Sequence, residues 1–342
     1  MRESLFLKQN AEKWKEYELA VKQQISADDL AEKFVVLTDD LGYAKTFYPK
    51  SKTVQYLNGL AATFHQKIYI NKKNKKGRIW WFWQFELPLL FKQYHRYFLY
   101  SFLFFIAFTL MGALSAKYDE NFVRLILGDD YVNMTLDNID KGDPFGVYKE
   151  NSFEMFVGIA FNNIRVAFIA YIMGIFVSVG TIWMLLSNGL MMGSFQYFFI
   201  AKGLGSKFIL VVFIHGTLEL WSIIVAGASG IILGNSILFP KSFTRMESVL
   251  KAGKDGFKIV FGLVPMFLAA AFLEGFVTKY TEMPIWLSIG ILSASLLFIV
   301  WYFVWYPIQL SRKVKRIVNN ELTTENEQNI QLWMNKKLNL EK

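Results

Sequence analysis

The sequence contains no cysteine and only three histidines among its 342 residues. The absence of cysteine excludes disulfides, thiolate catalysis and cysteine-ligated zinc. Charged residues make up 19% of the chain, below the roughly 25% that is usual for soluble domains. The chain carries no His-Glu-x-x-His protease pattern, no P-loop and no glycine-rich dinucleotide fingerprint after a strand-like run. These absences argue against several common enzyme classes, and the 54% hydrophobic and 17% aromatic content indicates a membrane protein.

Long apolar runs predict an all-α protein, a polytopic transmembrane helical bundle of about six spans. Eighteen or more consecutive apolar residues are typical of a transmembrane helix, and the run 208–234 is longer than that. As one helix, 153–201 would measure about 73 Å, more than twice the hydrocarbon core, so it must fold back. Asn188 and Gly189 tolerate left-handed backbone and are the predicted reversal point, with 153–163 as an interfacial or re-entrant piece. The predicted spans are 98–116, 164–187, 189–201, 208–234, 259–276 and 285–310.

The remaining segments predict a module, a linker and a tail around the transmembrane domain 98–310. Residues 1–70 predict a cytoplasmic helical module, because apolar residues recur there at helical spacing. Residues 71–97 predict a basic linker and an aromatic helix at the cytoplasmic membrane interface. The predicted lipid-interface residues are Lys72, Lys73, Lys75, Lys76, Trp80, Trp81 and Trp83. Residues 311–342 are the predicted cytoplasmic tail.

Charge alternates along the chain and predicts its orientation. Residues 1–97 carry 17 Lys and Arg against 10 Asp and Glu, a net charge of +7. The segment 117–152 carries 4 against 8, a net charge of −4, and is a predicted external loop. The loop 235–258 and the tail 311–342 are each net +3. Since basic flanks stay in the cytoplasm, both termini are predicted to be cytoplasmic. Basic membrane flanks account for the positive charge, so no nucleic-acid partner is predicted.

Ionisable residues inside the predicted spans are few and mark the candidate site. His215 and Glu219 lie four residues apart and therefore share one helix face. A charge at mid-bilayer costs roughly 2.5–3.5 kcal/mol on insertion scales, so such groups turn inward and find partners. We expect Arg165 to compensate the carboxylates. The predicted buried polar cluster contains Arg165, Asn188, His215, Glu219 and Glu274, and Asn162 and Asn163 lie in the same predicted membrane region.

Four interpretations of this cluster stay open. The first is a structural network that orients helices, and the second is a proton or ion pathway. The third is a site for a lipid or glycan headgroup, and the fourth is a metal site of His215, Glu219 and Glu274. We favour the structural network, and accordingly predict no metal, no other cofactor and no catalytic residue. A proton or ion pathway would indicate a transporter or channel, and a metal site would indicate a metal-dependent enzyme.

Small residues recur at every fourth position in parts of the predicted spans. This spacing lets helix backbones approach closely. Packing within the chain is the favoured interpretation, and a homodimer face is the alternative. The predicted helix-packing residues are Gly189, Gly193, Ala226, Gly230 and Gly234.

Five motifs, taken in order, carry a resemblance to a known family. They are Phe85-Glu86-Leu87-Pro88, NNIRVAFIAYIMGI at 162–175, SNGLMMG at 187–193, HGTLELWSIIVAGASGIILG at 215–234 and LEGFVTKY at 273–280. Together they resemble the stage II sporulation protein M family of bacterial and archaeal membrane proteins, over roughly residues 85–310. The resemblance implies a multi-span helical membrane protein. His215, Gly216, Glu219 and Glu274 match the polar motifs of the family, which offers no agreed catalytic residues.

The resemblance also implies a role and a location. Family members tied to sporulation act with partner proteins that remodel peptidoglycan, although most relatives occur in organisms that do not sporulate. We therefore expect an integral protein of the prokaryotic cytoplasmic membrane, a non-enzymatic scaffold that organises partner proteins. Its expected partners are membrane lipids and other membrane or cell-envelope proteins, with a homodimer as a further option. The alternatives are a transporter or channel-like protein and a membrane-embedded, metal-dependent enzyme.

Overall fold

The computed structural model describes residues 3–22, 27–70, 77–149 and 151–321, and these residues form helices and connecting turns without any strand. The chain divides into two compact units at Ile79. This all-α architecture confirms the predicted fold class. The α-helices are α1 (Glu3–Lys22), α2 (Ala27–Phe47), α3 (Lys52–Ile70), α4 (Arg78–Trp81), α5 (Leu87–Gln93), α6 (His95–Tyr118), α7 (Glu120–Leu127), α8 (Asp129–Asp140), α9 (Ser152–Ile172), α10 (Val179–Ala201), α11 (Gly205–Leu238), α12 (Arg245–Gly262), α13 (Val264–Phe272), α14 (Ile285–Ile299) and α15 (Tyr306–Glu321).

Five tighter or wider helical turns interrupt this series. Three are π-helices, at Phe82–Glu86, Leu273–Val277 and Val300–Trp305, and two are 3₁₀-helices, at Gly146–Lys149 and Met173–Ile175. The π-helix Leu273–Val277 follows α13 without a break, and Val300–Trp305 joins α14 to α15. The first therefore lengthens α13 by five residues, and the second makes α14 and α15 one continuous helical path.

The first unit is a three-helix module built around Trp14. Its core comprises Leu37, Leu57 and Phe64, which are fully buried. Trp14 is 2% exposed, and its Nε1 donates a hydrogen bond to Asp40 Oδ2 over 2.7 Å. Because this buried indole N–H has an acceptor, the module buries its largest side chain without losing a hydrogen bond.

The second unit contains five helical segments long and apolar enough to cross a membrane. They are His95–Tyr118, Ser152–Ile175, Gly205–Leu238, Arg245–Val277 and Ile285–Arg316. A sixth long helix, α10, has 23 residues and is about 35 Å long at 1.5 Å per residue. Of these, α11 is central, since it contacts α6, α9, α10, α12, α13 and α14.

The reversal predicted at Asn188–Gly189 is wrong, and so are the span boundaries 164–187 and 189–201. The chain turns instead at Val177 and Ser178, whose φ values of 55° and 68° are left-handed. Both α9 and α10 run unbroken on either side of this turn, so 153–163 is part of a helix that continues into the membrane. Gly189 serves close packing instead, because a Cβ there would crowd Phe108 of α6.

The six long helices alternate in direction. Gly189 and Gly193 of α10 meet Phe108 and Thr109 of α6 in the same order, so these two helices are parallel. Helix α11 is antiparallel to α10, since Gly227 lies against Leu185 whereas Gly234 lies against Ser178. An even number of alternating helices brings the start of α6 and the end of α14–α15 to the same side of the bundle.

The acidic segment 117–152 is not the plain solvated loop that its charge predicted. It forms α7, α8 and the turn Gly146–Lys149. Val123, Val132, Phe145 and Tyr148 are buried in a cluster shared with α6, α10 and α11. Their apolar side chains cover one end of the bundle, while the acidic residues lie mainly on the other faces of these short helices.

The remaining boundaries extend beyond the predicted ones. The predicted loop 235–258 is mostly helical, because α11 continues to Leu238 and a capping box of Thr244 and Glu247 starts α12 at Arg245. The span predicted at 259–276 is therefore the second half of a longer helical path. The first, fourth and last predicted spans also lengthen, to the bounds of α6, α11 and α14–α15.

Candidate functional site

The candidate site forms where α11 meets the π-helix Leu273–Val277. His215 is buried and Glu219 is half-buried, one turn apart on the central helix. Glu274 is contributed by the π-helix and keeps 16% of its side chain exposed. His215 Nε2 lies 3.7 Å from Glu274 Oε2, and one ligand atom from each of the three side chains lies within 4.8 Å of the others. The structure thus brings together His215, Glu219 and Glu274 from the predicted cluster.

Thr278 fixes the orientation of His215. Its backbone N–H donates to the Leu273 carbonyl over 2.8 Å, the wide hydrogen bond of a π-turn, and its Oγ1 donates to the same carbonyl over 3.1 Å. When the hydroxyl hydrogen points at the Leu273 carbonyl, Nδ1–H of His215 is the donor in the 3.0 Å contact between Nδ1 and Thr278 Oγ1. In the neutral ring, Nε2 then carries a lone pair facing Glu274.

Asn163 of α9 completes the inner side of the site. It is 5% exposed and its amide faces the Glu219 carboxyl. Its Nδ2 does not reach full hydrogen-bond geometry with that carboxyl. Glu219 is nevertheless the acceptor at which this buried amide N–H is directed.

Two tyrosines of the 117–152 segment lie over the site. The Tyr148 ring packs edge-on against His215, with centroids 5.7 Å apart. Burial raises the pKa of Tyr148 well above its usual value, and the nearby Glu274 carboxyl acts in the same direction. Burial also raises the pKa of Tyr131 to about 12. Both phenols therefore stay protonated at neutral pH. No sequence pattern linked Tyr131 or Tyr148 to the site, because the segment was interpreted as a solvated loop.

Arg165 does not join the cluster, which corrects the prediction that it compensates the carboxylates. Helix α9 turns Ala160, Asn163, Ala167 and Ala170 inward. Arg165 lies two residues beyond Asn163, about 200° around the helix, and is exposed. Its guanidinium forms no ion pair within the described part of the chain.

Asn188 is also separate from the cluster. Its Nδ2 donates to the Met184 carbonyl of its own helix over 2.8 Å. This hydrogen bond satisfies the Asn188 amide within α10. Asn188 therefore forms neither the predicted turn nor part of the His215 site. Thr278, by contrast, could have been noticed in the sequence, since it follows Glu274 by four residues.

The predicted packing residues lie at helix contacts within the chain. A Cβ on Gly193 would overlap the Thr109 carbonyl, one on Gly230 would meet Thr181, and one on Gly234 would meet Ser178. Ala226 is fully buried in a cluster with α5 and α12. These contacts give close helix approach inside one copy of the protein.

The predicted interfacial residues fall into two groups. Lys72, Lys73, Lys75 and Lys76 lie outside the described residues. Trp80 is 72% exposed and Trp81 half-buried, while Trp83 Nε1 donates to the Gly262 carbonyl of α12 over 3.0 Å. The Trp83 ring is therefore tied to the bundle, and contact of these tryptophans with lipid stays a prediction.

Six long helices around a polar centre define a polytopic α-helical membrane protein. Residues 101–279, more than half of the chain, match the family model of Stage II sporulation protein M. The chain belongs to this family, which confirms the resemblance of its motifs. Residues 4–70 match the model of a domain of unknown function, DUF8413. No curated protein and no solved structure matches the chain.

Proposed function

We propose that this protein is a non-enzymatic membrane scaffold that binds a partner membrane helix through the outward face of α9. Arg165 is the observation that carries the proposal. It is exposed on a segment apolar enough to span a membrane, Ser152–Ile175, and is unpaired in the described structure. Membership of a membrane-protein family supports the setting.

The depth of Arg165 makes its exposure costly. At 1.5 Å per residue it lies about 20 Å from the Ser152 end of the segment and about 15 Å from the Ile175 end. The hydrocarbon core is about 30 Å thick, so Arg165 is close to its centre and far from both headgroup layers. Arginine at this depth costs roughly 2.5–3.5 kcal/mol on insertion scales. A partner that neutralises it would recover that energy.

The surroundings of Arg165 suit a helix as the partner. Gly158 lies nearby on the same face with no atom within 4 Å of a Cβ built there. Asn162 is exposed on this face, and so is Phe161, at 69%. A small residue, an amide and a charge on one face allow close approach and interhelical hydrogen bonds. We call Gly158, Phe161, Asn162 and Arg165 the α9 face.

The partner we infer is a different protein whose membrane helix carries a carboxylate near mid-bilayer. A two-fold pair of this chain through the α9 face would place Arg165 beside its own copy, and like charges oppose that contact. The exposed carboxylate of Glu154 lies eleven residues away, about 16 Å along the helix, and cannot serve a second copy at that depth.

The transporter alternative places function at His215, Glu219 and Glu274 instead. Partial exposure of Glu274 is the observation that favours it. The two candidates differ in their dependence on Arg165. A scaffold loses its partner when that charge is removed, whereas a pathway through the cluster has no need of the α9 face.

Site-specific photo-crosslinking tests the scaffold proposal. A benzophenone amino acid replacing Phe161, in the cells that naturally make the protein, should yield a crosslink to a second, different protein. Arg165→Leu should reduce this product at least tenfold, and Arg165→Lys should retain it because the charge remains. A probe at Leu297 of α14, also 69% exposed, serves as the control position.

The crosslinked helix must carry an Asp or Glu at its centre. Changing that acidic residue of the partner to Lys should abolish the crosslink. Combining this partner variant with Arg165→Glu, which reverses both charges, should restore it. A product unaffected by Arg165→Leu, or one with the mass of two copies of this chain, would refute the acidic partner.

We further propose that both ends of the transmembrane unit face the cytoplasm. The even number of alternating helices and the basic segments near residues 97, 245 and 312 support this orientation. The loop near Ser242 would then be cytoplasmic, and the acidic helices α7 and α8 would lie outside.

Cysteine labelling checks the orientation, since the native chain has no cysteine. Ser242 and Asp137 are both exposed, which makes them a matched pair. In intact cells, a membrane-impermeant maleimide should label Asp137→Cys and leave Ser242→Cys unlabelled until the membrane is opened. The opposite pattern would reverse the proposed topology.

A further inference from the structure

We propose that His215, Glu219 and Glu274 bind one first-row divalent cation of the Zn²⁺ or Mn²⁺ type, at the junction of α11 and the π-helix Leu273–Val277. The cation would be structural and independent of the α9 face. One imidazole nitrogen and two carboxylate oxygens form a donor set that such cations accept. This departs from the sequence-based expectation of no metal, because the structure supplies geometry that the sequence did not.

The three donors already converge. Their ligand atoms lie within 4.8 Å of one another, and His215 Nε2 is 3.7 Å from Glu274 Oε2. A tetrahedral zinc with bonds of about 2.0–2.1 Å holds neighbouring ligand atoms about 3.4 Å apart. The His215–Glu274 separation is slightly longer than that, and too long for a direct hydrogen bond. Small side-chain rotations would close the site around an ion.

The hydrogen bonds of Thr278 suit a metal-binding tautomer of His215. With its hydroxyl hydrogen on the Leu273 carbonyl, Thr278 Oγ1 accepts from His215 Nδ1. This leaves the Nε2 lone pair directed at the carboxylates. Histidines that bind metals normally donate their other ring N–H to an oxygen in this way, which fixes the ring and its tautomer.

The backbone at Glu274 supports a functional site. The π-turn Leu273–Val277 is closed by the bond from Thr278 N to Leu273 O. Here the same turn holds Glu274 next to His215 and supplies Thr278 as the oxygen that orients the ring.

The charge of the site leaves room for a cation. Two carboxylates meet at this point, and no Lys or Arg pairs with either one among the described residues. Lys279, the nearest in sequence to Glu274, contacts Ser152 Oγ over 3.2 Å instead. Two carboxyls without a basic partner are neutralised either by protons or by a cation, and one divalent ion would offset both charges.

Asn163 is a further polar group directed at the site. This side chain is 5% exposed, and its amide points at the Glu219 carboxyl without reaching full hydrogen-bond geometry. When one Glu219 oxygen coordinates an ion, the other becomes an anchored acceptor for the Asn163 amide. Hydrogen-bonded carboxylate ligands of this kind are usual in metal sites.

Thr278 also lines a cavity next to the site. This cavity of about 390 Å³ near the start of α11 is lined by Ser206, Ile214, Thr278 and Glu282, among others. Thr278 therefore borders both this cavity and His215.

The test uses the full chain, purified in detergent without a polyhistidine tag and stripped with EDTA. Titration with ZnCl₂ and MnCl₂ should show one bound ion per chain for at least one metal. That metal should raise the thermal midpoint, since a ligand that binds only the folded state stabilises it. His215→Gln and Glu274→Gln should lose both effects, while Glu154→Gln, an exposed carboxylate of α9, should keep them.

A second pair of variants keeps the test decisive if the first pair does not fold. Thr278→Val removes the oxygen that orients His215 and should weaken metal affinity by about 10–100-fold. Thr278→Ser keeps the hydroxyl and should bind as the native chain does. A native chain that binds neither metal, or variants that all bind alike, would overturn the proposal and leave a cluster neutralised by protons.

Discussion

Replacing Trp14 by alanine is expected to unfold the amino-terminal three-helix module. Trp14 is 2% exposed and packs edge-on against Phe6 at 5.4 Å between ring centroids. Truncating a buried tryptophan costs about 3–5 kcal/mol, comparable to the whole stability of a module this small. Pulse proteolysis of the full chain in detergent should then cleave within 1–70 while α6–α14 stay protected.

Two variants of the same helix separate the causes. Leu19→Ala removes a side chain that is 54% exposed and should leave protection unchanged. Trp14→Phe keeps most of the ring but deletes the donor to Asp40, a carboxylate that also pairs with Lys13 at 2.6 Å. Its expected loss is about 1 kcal/mol. Full protection of Trp14→Ala would show that the indole is not central to the module.

Changing Gly193 to alanine is expected to produce the second large effect. A Cβ at this position would overlap the Thr109 carbonyl on the neighbouring helix α6. The backbone carbonyl cannot move aside alone, so α6 and α10 must separate, at a cost of about 1–3 kcal/mol. The thermal midpoint in detergent should fall by several degrees.

Gly290→Ala provides the matched control for this helix contact. Gly290 is also in an apolar membrane helix, α14, yet nothing lies within 4 Å of a Cβ built there. Its midpoint should stay the same or rise slightly, because alanine favours the helix. Equal midpoints for the two variants would mean that α6 and α10 do not approach closely at Gly193.

The three titratable members of the site could be predicted from the sequence because two strong signals agreed. His215 and Glu219 share a helix face by spacing alone. Glu274 was expected to contact other polar side chains, since a carboxylate facing lipid is costly. Thr278 and Tyr148 escaped notice because an uncharged hydroxyl and a phenol raise no such cost.

The position of Arg165 could not be predicted from charge pairing alone. The sequence-based prediction paired Arg165 with the carboxylates, on the assumption that every charge in the membrane is compensated within the chain. Helix geometry contradicts this prediction, because Asn163 faces inward and Arg165 therefore lies on the opposite side of α9. The small residues Ala160, Ala167 and Ala170 lie on the same inward face as Asn163. Their spacing in the sequence therefore predicts that Arg165 points outward.

The reversal before α10 could not be predicted from turn propensities. Val177 and Ser178 adopt left-handed backbone that these residue types rarely favour. Tertiary packing stabilises it, since Ser178 Oγ donates to the Ile231 carbonyl over 3.3 Å and Gly174 lies directly against Gly230. Asn188-Gly189 was the more conspicuous sequence signal, but its glycine is used for close helix contact.

The position of the polar cluster in the chain also bears on how the protein is made. Synthesis proceeds from the amino terminus, so His215 and Glu219 enter the membrane well before Glu274 and Thr278 exist. Until α13 and its π-turn arrive, the central helix holds a carboxylate and an imidazole without their final partners. Completion of the cluster is therefore a late assembly event, and a chain that ends early keeps unsatisfied polar groups where quality-control proteases can recognise them.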